Sequence, residues 1–324
     1  MKCNDALANV TLLTYGATFT RIQTLSDCIE PLLSGFESGI KTGDMPNARG
    51  CAAAIAWCSF FSGQKLTTVA HTMKYLRTSL SEFSPKSAMQ GNRNYQDAVD
   101  YCLGVSKDSR FYYNMPTVHN DVIISSKRGG LILDEQAKLI QLTVSCIFCD
   151  YELAWTMSEK LGLFGSAFAG TTWPYTCAFY RGMAAISLSM LHRSSSREYV
   201  RTAKSCLKQL RKGHKKSGKN ITHQLYLLKA EYAACKKFGS PEKFYLLAIE
   251  HAALSGVTHE HAYACERFGT YHFLRKNHNA AYEQIREAHT LYSKWGSRPK
   301  CEQLKKKYPR LGENERFLRG GLNN

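Results

Sequence analysis

Apolar residues recur along the chain at alternating steps of four and three, the spacing that lines one face of an α-helix. Ile221, Leu225, Leu228, Tyr232 and Cys235 make one such stripe, and Ala281, Tyr282, Ile285, Ala288, Tyr292 and Trp295 make another. Earlier, Ala137, Ile140, Val144 and Ile147 are followed by Ala154, Met157, Leu161 and Phe164. The strict alternation of a half-buried strand is nearly absent, so the pattern predicts an all-α chain. Short clusters punctuate the stripes: KTGDMP at 41–46, FSGQ at 61–64, FCDYE at 148–152, FGSPE at 238–242, SGVTHE at 255–260 and RKNHN at 275–279. Gly, Asn, Asp and Pro there end one helix and begin the next. Links this short turn successive helices antiparallel, into helical hairpins.

Two of these hairpins resemble each other. A shift of 37 residues places Tyr245 on Tyr282, Glu250 on Glu287 and Leu254 on Leu291, near the roughly 34-residue period of tetratricopeptide units. Hairpins of this kind bury by stacking what none buries alone, so the expected architecture is a tetratricopeptide-like α-solenoid over residues 1–310. Two interruptions are expected: a long surface loop at about 106–133, which contains Pro116, Gly129 and Gly130, and a basic linker at about 211–220. Residues 311–324 form a polar, Gly-containing tail.

Composition agrees with a folded chain, since 324 residues with 44% hydrophobic and 11% aromatic content can fill a core. The first residues, MKCNDALANVTLL, lack the apolar run of an export signal, and no stretch of about 18 apolar residues appears, so no membrane span is expected. The 12 cysteines are scattered at helix-compatible positions, which suits reduced thiols in the cytoplasm. The net charge of +17 points to anionic partners.

Several motifs invite a chemical reading. GHKKSGKN, Gly213 to Asn220, comes one residue short of a phosphate-binding loop, with Asn220 in place of the magnesium-binding hydroxyl. Such a loop must follow a buried strand, whereas a helix with Val200, Ala203, Leu207 and Leu210 on one face precedes this one, so an exposed linker is expected. CIFC, Cys146 to Cys149, has half-site spacing for zinc but lacks a second pair, and core packing is the plainer account. His259 and His261 lie on different sides of a helix, while His272 and His289 fall in packing stripes; none is paired at ligand spacing, and no metal or cofactor is expected.

The strongest binding signal is basic. Arg197, Arg201, Lys204, Lys208 and Arg211 recur every four or three residues beside the apolar stripe, and Lys212, Lys215, Lys216 and Lys219 prolong the ridge. Residues 193–219 carry ten Lys or Arg against Glu198 alone. The ridge suits phosphates, although aromatic residues for stacking on bases are not interleaved there, and a solvated face remains the plainer account.

The C-terminal third also resembles a family: the helical repeat region of large multidomain signalling proteins in which a serine/threonine kinase-like domain and an AAA-type ATPase precede tetratricopeptide-like repeats. The matching residues are His259, Glu260, Ala262, Ala264, Glu266, Gly269 and Leu274, then Tyr282, Glu287, Ala288, Tyr292, Trp295, Gly296, Lys300, Leu304, Tyr308 and Pro309. Segments at 31–66 and 131–161 agree as well, so the likeness spans most of residues 25–309. Cys149 stands where that family usually has Gly, Cys265 where it has Asn, and Phe268 where it has a small residue. No kinase, ATPase or cyclase motif is complete, so the resemblance implies a non-catalytic repeat portion that binds a protein partner or relays a signal between flanking modules. The alternative is nucleic-acid or anionic-surface binding through 197–219.

Overall fold

The computed structural model describes residues 6–81, 90–105, 127–162, 170–192 and 196–311. Its helices are α1 (Leu7–Leu13), α2 (Ile29–Thr42), α3 (Met45–Phe61), α4 (Leu66–Ser81), α5 (Gln90–Leu103), α6 (Lys127–Ile147) and α7 (Tyr151–Glu159). They are followed by α8 (Trp173–Leu191), α9 (Ser196–Lys236), α10 (Pro241–Leu254), α11 (Thr258–Leu274), α12 (His278–Trp295) and α13 (Arg298–Lys307). No strand occurs among the described residues, so the chain is all-α there. Nor is any described helix long and apolar enough to cross a membrane.

The punctuation clusters do what their residues dictate. Gly43 leaves α2 with φ 78°, and the Asp44 carboxylate then accepts from the Asn47 backbone N–H at 3.3 Å to cap α3. Asp150 caps α7 in the same way, accepting from the Leu153 N–H at 3.1 Å. Cys149, Lys237 and Lys276 hold positive φ at helix ends, and Gly296, at φ 100°, closes α12. Gly63 is needed twice over. Its φ is 79°, and a Cβ there would sit 2.3 Å from the Thr258 backbone nitrogen.

Each helix packs on the next in sequence, and one continuous apolar core runs through the stack. Trp57, Tyr95, Tyr180, Tyr245, Tyr263, Tyr292 and Trp295 are among its fully buried rings. Most of the predicted stripes lie in it: Ala137, Ile140, Val144, Ile147, Ala154, Leu225, Leu228, Ile285 and Ala288 are buried there, Met157 and Leu161 are half-buried against it, and Phe164 lies outside the described residues. Contacts also join helices far apart in sequence. Phe60 of α3 lies 6.5 Å from the His259 ring of α11, Ser297 donates to the Cys102 carbonyl at 2.8 Å, and Gln303 donates to that of Phe148 at 2.8 Å. These contacts seat the last helices against α3, α5 and α6, beyond the nearest-neighbour packing of a simple linear array.

Two expected interruptions differ from the structure. Of the surface loop at 106–133, residues 127–133 are the first two turns of α6, and the remainder lies outside the described residues. Of the tail expected at 311–324, Leu311 is buried in the core, and residues 312–324 lie outside the described residues. The basic linker expected at 211–220 is helical and lies within α9. The cause is tertiary: Gly213 is buried with its α-carbon under the Tyr175 ring, and Asn220 is buried with its side-chain N–H groups bound to backbone carbonyls. Those contacts override the weak helix propensity of the Gly/Ser/Lys composition.

α9 nevertheless reverses direction. In a straight helix, Cys206 and Leu228 would be about 33 Å apart, yet both flank Gly182, where an added Cβ would meet the Leu228 side chain at 2.6 Å and the Cys206 Cβ at 3.2 Å. The Thr222 hydroxyl lies 3.1 Å from His214 Nδ1, across an eight-residue separation. At the far ends, Ser189 and His192 of one α8 terminus reach Cys235 and Tyr199 respectively. The element is therefore two antiparallel helical arms joined by an elbow near residues 213–219, and both arms lie on α8.

Candidate functional site

The first arm carries the basic ridge. At 100° per residue, Arg197, Arg201, Lys204, Lys208, Arg211 and Lys212 fall within about 100° of arc along about 22 Å of helix. All six are exposed, while Ala203, Cys206, Leu207 and Leu210 on the opposite side are buried against α8. Lys215, Lys216 and Lys219 are exposed on the elbow, so they crown the end of the ridge instead of extending it in line. None of the nine makes an ion pair among the described residues.

The fold brings further cations to this face. Lys229 of the returning arm places its ammonium 4.0 Å above the Phe244 ring. Its pKa is lowered by partial burial and then by repulsion from Arg211 and Lys243, which places one cation from each arm and one from α10 in a common neighbourhood. Sequence spacing alone could not show this, because the three lie on different passes of the chain.

The other candidates resolve into packing. Lys219 and Asn220 belong to a helical elbow, without the preceding strand a phosphate loop requires. The Asn220 side chain donates to the carbonyls of Thr20 at 2.7 Å and Gln23 at 2.6 Å. Cys146 is buried with its thiol on the Tyr180 carbonyl at 3.4 Å, and burial raises its pKa well above the ordinary thiol value. Cys149 sits in the left-handed turn and contacts Glu266 and Lys300 at 3.5 and 3.7 Å. The eleven described cysteines are free.

His259 is fully buried, stacked on Trp295 with ring centroids 5.1 Å apart, and burial pushes its pKa down to about 4. His272 packs on Phe268 at 4.3 Å, and burial lowers its pKa as well. Among the described residues no group of three or more His, Cys, Asp or Glu is placed to hold a metal ion.

What spacing did not show is that α11 is the hub of three buried carboxylate clusters. Glu260 accepts from Tyr180 at 2.7 Å and Gln224 at 2.8 Å and is paired with His223. Glu231 takes the Arg267 guanidinium through two bonds of 2.7 Å and a third from Tyr245 at 2.9 Å. Glu266 holds the Lys300 ammonium at 2.9 Å and the Tyr292 hydroxyl at 3.1 Å. Burial is close to complete, with Lys300 at 0% exposure and Glu266 at 1%. Each carboxylate thus has hydrogen-bond or ion-pair partners within the protein, which ties neighbouring helices together, while His223 Nδ1 and Gln224 Oε1 beside Glu260 are buried without a hydrogen-bond partner among the described residues. The one available signal was the charged run in HEHAYACERFG, set inside an otherwise small and aromatic face. No protein-family model, curated protein or solved structure matches this chain.

Proposed function

We propose that the chain is a non-catalytic, tetratricopeptide-like stack of helical hairpins that binds an anionic partner through the basic face of α9. The observation that carries this reading is a segregation of charge. The buried acids Glu231 and Glu266 are each paired with a buried cation, Arg267 and Lys300, and Glu260 is hydrogen-bonded to Tyr180, Gln224 and His223, whereas nine cations stand exposed and without an ion pair among the described residues on one arm and its elbow. Buried ion pairs and hydrogen-bonded carboxylates of this kind support a scaffold. An unneutralised cationic face steers and holds polyanions.

The likeness to the repeat region of multidomain signalling proteins is consistent with this role. The residues that carry it, among them His259, Glu266, Tyr292, Trp295 and Lys300, pack against one another in a single buried block. In that setting the module would relay between flanking domains or dock a protein partner. The test is retention on immobilised heparin. Wild-type protein elutes late, and the charge reversal Arg201→Glu, Lys204→Glu, Lys208→Glu elutes at low salt with unchanged helical circular dichroism. Identical elution of the two proteins would refute the reading.

A further inference from the structure

We infer that this basic face is a docking surface for double-stranded nucleic acid, held through its phosphates without reading of sequence. The inference rests on the binding reading above and names the partner's chemistry. Between residues 196 and 254 there are thirteen Lys or Arg against four acids, Glu198, Glu231, Glu242 and Glu250. Glu231 is buried against Arg267, which leaves only Glu198, Glu242 and Glu250 exposed on these helices. Antiparallel folding of α9 then turns the ridge from a single file into a face. The first arm supplies the row from Arg197 to Lys212, the returning arm supplies Lys229, α10 supplies Lys243, and Lys215, Lys216 and Lys219 close one end.

Three features select among polyanions. A specific protein partner is anchored by apolar or aromatic residues that become buried at the centre of the interface. Among the described residues no large exposed hydrophobic residue lies between Leu191 and Phe238, along both arms of α9, and the residues exposed among the ridge cations include Ser205 and Gln209; on α10, Leu246 and Leu254 are exposed singly, eight positions apart. A helix that lies on a bilayer inserts its apolar face, and here that face, Ala203, Leu207 and Leu210, is committed to the core. Single strands are held by stacking bases on free rings, but Tyr226 stacks on His251 at 5.4 Å and Lys229 covers Phe244, which leaves Phe238, beyond the end of the returning arm, as an isolated exposed ring and not a row of them. What remains is a rigid cationic face about 22 Å long that needs no anchor, because counterion release from a phosphate backbone supplies the affinity. DNA and RNA duplexes share that backbone chemistry.

The experiment is fluorescence anisotropy of the full chain at several salt concentrations. The probes are two DNA duplexes of unrelated sequence, an RNA duplex, a single strand, a polyglutamate peptide and vesicles rich in phosphatidylserine. Both DNA duplexes are expected to bind equally, and the comparison with RNA identifies the preferred source of the backbone. If six cations contact phosphates, log Kd changes by about 5 per tenfold change in salt, and Lys204→Glu, Lys208→Glu, Arg211→Glu reduces that slope by about 3. The neutral series Lys204→Gln, Lys208→Gln, Arg211→Gln, checked by circular dichroism, must move the slope in the same direction. Tighter binding to single strand, polyglutamate or vesicles than to duplex overturns the inference, as does an unchanged slope in the variants. A chain retained on heparin yet indifferent to duplex refutes this proposal alone, while one not retained on heparin refutes both readings.

Discussion

His259 shows how a residue that looks chemical in the sequence becomes structural in the fold. Its ring lies between Phe60 and Trp295. Burial drives its pKa from 6.5 to about 4, against the pull of Glu260 and with help from His223. The unfolded chain therefore takes up a proton below pH 6.5 that the folded chain refuses. Stability is full above that pH and falls as pH drops toward 4, with roughly 2 kcal/mol lost by pH 5. Burial alone would raise the pKa of Glu260, but the His223 imidazole and the surrounding donors hold the carboxyl below its usual range, so its stabilisation is also lost in acid. Melting temperature measured from pH 7 to pH 5 should drop steeply in the wild type and less steeply in His259→Phe, where the titrating group is gone. Equal slopes for the two proteins would show that His259 is not the group responsible. The sequence placed His259 in a helix and outside any ligand set, but it concealed that Glu260 meets His223, a residue 37 positions earlier on a different helix.

At the scale of elements, α9 marks where local reading ends. The stripes Val200–Leu210 and Ile221–Cys235 were both legible as helix, and the Gly/Ser/Lys run between them was legible as a change of course. Composition could not show that the change is made within helical backbone, because the stabilising partners are Tyr175 on α8 and the carbonyls of Thr20 and Gln23. The two arms meet at Gly182, where the absence of a side chain lets Leu228 and Cys206 approach α8 together. Gly182→Val would force branched carbons into that contact, at a cost of about 1–3 kcal/mol. Gly162→Ala, at a position with nothing within 4 Å of an added Cβ, should change stability little. Urea unfolding followed by circular dichroism checks both. A Gly182→Val protein as stable as wild type would mean that the arms do not pack on α8 as described.

At the scale of the whole molecule, hairpin succession was legible because capping and turn chemistry are local, as at Asp44, Asp150 and Gly296. The closing contacts were not, since they pair residues such as Cys102 with Ser297 and Thr20 with Asn220. Asn220 makes the second of these testable. Its carboxamide nitrogen donates to two carbonyls of the segment following α1, at 2.7 and 2.6 Å, from a position only 8% exposed. It therefore pins the amino-terminal segment to the elbow that carries Lys215, Lys216 and Lys219. Asn220→Ala leaves both carbonyls without that donor, at a cost of about 1–3 kcal/mol. Because the pinned segment is short and peripheral, the loss should appear as local opening before global unfolding. Limited trypsinolysis reads it directly: cleavage after Arg21 should accelerate about tenfold or more in Asn220→Ala, at a temperature where circular dichroism still reports a folded chain. Cleavage there at the wild-type rate would mean that contacts other than the Asn220 carboxamide hold the elbow and the amino-terminal segment together.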